Sequence, residues 1–345
     1  MLDVKPVKII NLTLDGKHIY VQSMLNVPAN DVVGSVKQAK ELEAAGCEII
    51  RAAIPDESAL SLIPAIKSEV AIPLVADIHY DYRLAIGAAE RGIDKIRINP
   101  GNIGGRDKVK AVADCCRSRG IPIRIGVNSG SLEKDLLKKY GSPTAEALCE
   151  SAMRHVRLLE ECDFDDIVVS IKSSDVRTNI AAYRLMRQMC SYPLHLGVTE
   201  AGTYNMGIIK SSIAIGSLLC DGIGETIRVS LTDDPLREVE AGINILKAVG
   251  MRAGVKIVSC PTCGRTKIDL IGLANRVESA LKGADKDITV AVMGCVVNGP
   301  GEAKEADIGL AGGDGCAVIF KKDKIIGKFS EEDAFDALLG EIQKL

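Results

Sequence analysis

From Tyr20 onward, short apolar runs alternate with helix-like segments, and the alternation repeats eight times. The runs are YVQSM, CEIIRAAI, IPLVADIHY, DKIRINPGN, IPIRIGVNSG, DIVVSIKSS, PLHLGVTEAG and ETIRVSLTDD. Between them lie stretches such as DVVGSVKQAKELEAAG, YRLAIGAAERG and TAEALCESAMRHVRLLEEC, which carry helical periodicity. Several end in Gly, the usual residue past a helix C-terminus. Eight such units predict an α/β fold, a (β/α)8 TIM barrel, because an open doubly wound sheet rarely runs to eight regular units. Composition agrees. Apolar residues make up 47% of the chain, aromatics only 3%, and there is no Trp. The core must therefore be aliphatic, which suits parallel strands covered by helices on the outside.

The flanks of the repeat complete the domain plan. Ahead of it, VKIINLTLDGKHIYVQSM places two β-rich runs around Asp15-Gly16, a hairpin-turn signal, and the hairpin is expected to plug the bottom of the barrel. After PLREVEAGINILKAVG a different unit begins. It holds a helix, LIGLANRVESALKG, a strand, DITVAVMGC, a hairpin, CAVIFKKDKIIGKF with Lys322-Asp323 near its turn, and a final helix that starts from Ser330. Ser330 and Asp333 stand at the spacing of a weak capping box. The expected division is a barrel over residues 1–253 and a small α+β unit over 254–345.

Several classes of function are excluded by charge and hydropathy. A formal net charge of -3 argues against a general nucleic-acid or anionic-membrane binder. No stretch has the roughly 18 apolar residues of a spanning helix, and the start of the chain lacks a basic stretch followed by a long apolar one. The expectation is a soluble, cytoplasmic protein whose eleven cysteines stay mostly reduced. Cys47, Cys115, Cys116, Cys149, Cys162, Cys190 and Cys220 read as ordinary buried or half-buried thiols.

Polar residues at the ends of the runs carry the first functional signal. Arg51, Asp77, His79, Arg97, Asn99, Arg124, Asn128, Lys172, Glu200, Arg228 and Ser230 all close strand runs. In a barrel these ends converge on one mouth, where active sites sit. Arg97 and Asn99, like Arg228 and Ser230, are two apart and so point to the same side. Four arginines and a lysine aimed at one mouth repel each other unless an anion joins them, which suggests a phosphate- or diphosphate-bearing substrate. Glu200 is the best placed acid and His79 the best placed histidine; His18, His155 and His195 read as structural.

The second signal is a set of thiols. CPTCGR places Cys260 and Cys263 at the C-x-x-C spacing, and GCVVNGPGEA adds Cys295. Gly- and Pro-rich turns around them expose N–H groups that stabilise thiolate. Zinc in a structural site commonly takes two Cys pairs, and the second pair is missing here. An iron–sulfur cluster tolerates a substituted ligand. Cys316 and Glu302 both remain candidates for the fourth position.

Taken in order, CPTCGRTKIDL, MGCVVNGPGEAKEADIG, VADIHYDYRLA, IRINPGNIG, RIGVNSGSL and GIGETIRVSLT resemble the 4-hydroxy-3-methylbut-2-enyl diphosphate synthase family, iron–sulfur oxidoreductases of the non-mevalonate isoprenoid pathway. The resemblance runs nearly the full length and matches the compact bacterial form. It implies a [4Fe–4S] cluster held by Cys260, Cys263, Cys295 and Glu302. It implies reductive ring opening and dehydration of 2-C-methyl-D-erythritol 2,4-cyclodiphosphate, with electrons from flavodoxin or ferredoxin. Glu200 is implied as an acid near the departing hydroxyl, and Asn298 as a substrate contact from the cluster side.

Chain length adds an expectation about assembly. The eighth barrel helix carries the chain roughly 24 Å away from the mouth, and the connector MRAGVK spans at most about 20 Å. A cluster unit should therefore close the mouth of a second copy, giving a homodimer with a shared site. The competing reading is a barrel lyase or transferase for a phosphorylated or pterin-like substrate, with a structural zinc unit.

Overall fold

The expected strands pair in parallel and in sequence. The computed structural model describes residues 2–99, 101–284, 286–296, 305–322 and 324–345. After β1 (Val7–Ile9) and β2 (Leu12–Leu14) come β3 (Tyr20–Met24), β4 (Ile49–Ala53), β5 (Leu74–Asp77) and β6 (Lys95–Ile98). They are followed by β7 (Ile123–Asn128), β8 (Ile167–Lys172), β9 (His195–Leu196) and β10 (Thr226–Ile227). The sheet order is β8-β7-β6-β5-β4-β3-β10-β9, and a parallel bridge between Val169 and Leu194 joins its two ends. The barrel is closed.

Around it run α1 (Val32–Ala44), α2 (Leu62–Lys67), α3 (Tyr82–Glu90), α4 (Arg106–Arg119) and α5 (Lys134–Tyr140). The outer layer continues with α6 (Ala145–Glu160), α7 (Val176–Met189), α8 (Tyr204–Cys220) and α9 (Pro235–Ala248). Side chains of Asp31, Asp81, Thr144, Asp175 and Asp234 accept N–H groups of the first turns of α1, α3, α6, α7 and α9. These caps satisfy donors that a helix start leaves unpaired. The aliphatic core lies between strands and helices, with Ile50, Leu74, Ile96, Ile123, Ile167 and Leu196 all fully buried.

The N-terminal hairpin departs from expectation in its turn. β1 and β2 pair with Ile9 opposite Leu12, so the chain reverses at Ile10-Asn11 rather than at Asp15-Gly16. Ile10 adopts a φ of 51°, a region a β-branched residue rarely enters, and this hid the turn from sequence reasoning. Asp15-Gly16 instead bends the chain from β2 into β3, with Asp15 Oδ1 accepting the Lys17 N–H at 3.1 Å and Gly16 at φ 82°. Val7, Ile9 and Leu14 form a buried cluster with Ile49, Val75 and Val168, the lower inward positions of β4, β5 and β8. The hairpin thus caps the bottom of the barrel.

The chain divides into compact units at Met1–Met251 and Arg252–Leu345. The second unit has one sheet in the order β11 (Lys256–Ser259), β12 (Thr289–Met293), β13 (Ile308–Gly313), β14 (Cys316–Lys321), β15 (Lys324–Ser330). The first three strands are parallel and the last two antiparallel. α10 (Leu270–Leu281) and α11 (Ala334–Gln343) pack Leu273, Val277, Leu338 and Ile342 against it. Ser330 and Asp333 do exchange hydrogen bonds, but Ser330 ends β15 and the helix begins only at Ala334. Asp323 lies outside the described residues.

Candidate functional site

Strand alternation sends the polar residues of β4 to β10 into the barrel lumen. Arg51, Arg97, Arg124, Asn128, Ser170, Lys172, Val198, Thr199, Glu200, Arg228 and Ser230 line a cavity of about 200 Å³. Its cations are withdrawn from solvent: Arg124 is 1% exposed, Lys172 7%, and the side chains of Arg97 and Arg51 11% and 13%. Larger, more open hollows lie among surface helix residues such as Glu57, Arg83 and Glu90, which converge on no common centre.

Few carboxylates balance this charge. Asp77, at the end of β5, stands 3.5 Å from Arg51 Nη2 through Oδ2 and 3.2 Å from Arg97 Nη1 through Oδ1, and His79 Nε2 lies 3.1 Å from the same Oδ2. Burial alone would raise the Asp77 carboxyl, but the two guanidinium groups and the His79 contact outweigh it and hold it well below the usual range. Glu238, reaching in from α9, meets Arg228 Nη2 at 3.5 Å and accepts the Leu231 N–H at 2.8 Å. Burial and neighbouring cations push Arg51, Arg124 and Lys172 below their ordinary values, with Arg228 first among the neighbours of Lys172. A closely set group of this kind has the chemistry to bind an anion with several charged oxygens.

Not every residue expected at the mouth lines the cavity. Asp77 is buried against Arg51 and Arg97 as a brace, with the exposed His79 beside it, and neither is part of the cavity wall. Asn99 turns back on its own loop, where its Oδ1 accepts the Gly101 N–H at 3.1 Å. Glu200 is exposed at the rim with φ 51°, an unusual backbone state for a glutamate that aims its side chain from a tight turn.

Sequence reasoning missed several supporting residues. Met24 Sδ sits 3.1 Å from Arg51 Nε and 3.5 Å from Arg228 Nη1, a weak acceptor shared by two cations. Gly126 and Gly197 make room for the long side chains: an added Cβ would stand 2.5 Å from Arg97 Nε at the first and 2.6 Å from Lys172 Nζ at the second. Lys95, two residues before Arg97, and His195 are both fully buried in the lumen. The alternation of Lys95 with Arg97 was the available signal. Cys220 corrects the expectation of buried thiols, since it is exposed at the end of α8.

Three thiols of the second unit, Cys260, Cys263 and Cys295, sit on loops. Cys260 follows β11 and Cys295 follows β12, while Cys263 lies exposed in the loop between β11 and α10. All are free. Cys260 Sγ accepts the Gly294 N–H at 3.2 Å, and hydrogen bonds from the backbone and side chain of Arg265 hold the Cys263 thiol below its ordinary value. Free thiols on loops that direct backbone N–H groups at sulfur offer the donor chemistry an iron–sulfur cluster requires. Among the described residues no three Cys, His, Asp or Glu side chains are gathered for a metal ion. Asn298 and Glu302 lie outside the described residues, and Cys316, half-buried, begins β14 opposite Gly313.

Among the described residues no helix is long and apolar enough to cross a membrane. Two family models match the chain: one described as GcpE TIM-barrel domain over residues 4–243, the other as GcpE protein C-terminal domain over 256–344. A relative from Clostridium perfringens, named 4-hydroxy-3-methylbut-2-en-1-yl diphosphate synthase (flavodoxin), is 56% identical and covers 99% of both chains. A relative of the same name from Caldanaerobacter subterraneus is 57% identical and covers 99% of this chain and 97% of its own. Among solved structures, dihydropteroate synthase from Stenotrophomonas maltophilia matches with a TM-score of 0.54 at 12% identity, over 70% of this chain and 96% of its own. The 3-dehydroquinate dehydratase from Geobacillus kaustophilus gives 0.53 at 14% identity, over 72% and 98%. At such identities these two likenesses concern the fold alone.

Proposed function

The chain belongs to the GcpE family, and from that premise we propose that it converts 2-C-methyl-D-erythritol 2,4-cyclodiphosphate into 4-hydroxy-3-methylbut-2-enyl diphosphate. The ring opens, two electrons and two protons enter, and one water leaves. The observation that carries the reading is the buried cation set around one cavity, Arg51, Arg97, Arg124, Lys172 and Arg228. These side chains would hold the diphosphate oxygens, with Asn128 and Ser230 as neutral donors beside them. Asp77 orients Arg51 and Arg97, His79 fixes Asp77, and Glu238 orients Arg228. Asn99 would act through its loop rather than on the phosphates. Glu200, at the rim, would deliver a proton from its carboxyl to the departing hydroxyl.

A [4Fe–4S] cluster held by Cys260, Cys263, Cys295 and Glu302 would supply the electrons when bound. Asn298 would contact the substrate from that side. The relatives' name supports flavodoxin as the donor, and free thiols in such number support a reducing, cytoplasmic setting. Anaerobic turnover of the cyclodiphosphate with a chemical reductant tests the reading. Formation of the linear diphosphate alcohol is expected, and a brown, cluster-loaded protein that leaves this substrate unchanged would overturn it.

The shared site of a homodimer belongs to the same proposal and is supported by the reach of the connector. A mixed dimer of one Glu200→Gln subunit and one Cys295→Ser subunit should keep one intact site. Complete loss of turnover in the mixed dimer, with each variant folded, would exclude the exchange.

A further inference from the structure

The lumen holds more cation than the cavity displays. Lys95 on β6 is 0% exposed, and its Nζ has no hydrogen-bond partner among the described residues. Gln22 Nε2, Arg124 Nε and His195 Nε2, from β3, β7 and β9, are equally buried and equally unpartnered. The neighbouring acceptors are already engaged: Gln22 Oε1 takes Arg124 Nη1 at 3.3 Å, and His195 Nδ1 is 2.8 Å from Thr226 Oγ1. As an ammonium, Lys95 would add three donors to a layer short of acceptors. As an amine it would offer a lone pair instead.

The charged surroundings favour the amine until an anion arrives. The titratable groups of the lumen are Arg51 on β4, Asp77 on β5, Arg97 on the same strand as Lys95, Arg124 on β7, Lys172 on β8, His195 on β9 and Arg228 beyond β10, with Glu200 exposed at the rim. Glu238 from α9 is engaged by Arg228. Beneath them the hairpin presents the apolar side chains of Val7, Ile9 and Leu14. Asp77 is committed to Arg51, Arg97 and His79, so among the described residues no carboxylate pairs with Lys95. Burial first, then Arg124 and Arg51, lower the Lys95 ammonium well below the ordinary lysine value.

We propose that Lys95 is a proton-coupled positioning residue: an uncharged amine in the ligand-free barrel, it takes up a proton as a diphosphate group seats among the cations of the cavity. The proton comes from solvent and stays on Nζ, and no bond in the ligand is broken. The idea rests on the diphosphate reading of the cavity and deepens it, because a site that charges itself only when loaded limits cation repulsion in the free protein. Linkage sets the sign. Proton uptake on binding makes affinity rise as pH falls, by about tenfold per pH unit between the free and bound titration midpoints.

The test uses the full-length protein and inorganic pyrophosphate. With 13C-labelled lysine, and Lys95 assigned from the Lys95→Met variant, the Cε signal should report a neutral amine near pH 7 that becomes ammonium when pyrophosphate is added. Calorimetry in buffers of different ionisation enthalpy should find about one more proton taken up by the wild type than by Lys95→Met. A Lys95 signal that titrates in the ordinary lysine range without ligand overturns the proposal and leaves the diphosphate reading intact. Equal proton uptake in the two proteins overturns it as well. If pyrophosphate does not bind at all, the diphosphate reading falls and the coupling falls with it.

Discussion

The two units place their chemistry on different supports. In the barrel, Arg51, Arg97 and Arg124 stand on strands whose register is fixed by two neighbours, and Arg97 lies directly opposite Arg124 in the β6–β7 pairing. The side chains are buried and braced by Asp77, Glu238 and Met24. In the second unit the thiols stand on loops after β11 and β12, and Cys263 is exposed. A sheet can hold like charges together without their ligand, because backbone pairing supplies the order. Loops cannot, and thiols on loops depend on a bound group to tie them. The barrel cations are therefore ordered in advance by their strands, whereas the thiols, under the proposed cluster binding, would be ordered by the group they hold.

The sharpest way to break that comparison is Cys263→Ser. It should abolish reductive turnover and lower iron content, while pyrophosphate binding to the barrel stays near the wild-type value. Parallel loss of pyrophosphate binding would show that the barrel site is not formed independently.

A smaller effect is expected at Asp77. Its replacement by Asn leaves Arg51 and Arg97 without their buried counter-charge, and should destabilise the barrel by about 3 kcal/mol near neutral pH. The sign with pH follows from the lowered Asp77 value. The contribution is complete above the unfolded carboxyl value of about 4 and is lost as pH falls toward the folded one. Urea midpoints of wild type and Asp77→Asn should therefore converge as pH drops below about 4. A gap that stays constant with pH would remove Asp77 from its bracing role.

The mildest change tests the preformed geometry. Gly126→Ala puts a methyl 2.5 Å from Arg97 Nε, so the guanidinium must move off its 3.3 Å contact with the Gly126 carbonyl. Weakening one charge-assisted contact should raise KM by about tenfold, with a smaller change in kcat. An unchanged KM would mean that the barrel adapts more freely than its packing implies.

Much of the molecule was legible in the chain. The eight strand–helix repeats dictate the barrel because period-two and helical apolar patterns can be satisfied together only by a sheet wrapped in helices. Arg51, Arg97, Arg124, Asn128, Lys172, Glu200, Arg228 and Ser230 were readable as one site because strand ends in such a fold converge. The thiol spacing was equally plain, since C-x-x-C is a local pattern.

The three-dimensional structure decided what depends on neighbours distant in sequence. It set Asp77 against the arginines and outside the cavity wall, turned Asn99 onto its loop, and moved the hairpin reversal to Ile10-Asn11. It also buried Lys95 and His195 among cations contributed by other strands. Sequence pattern reports which face of a strand a residue occupies. How deep in the lumen that residue sits, and which charges it meets there, follow from barrel closure alone.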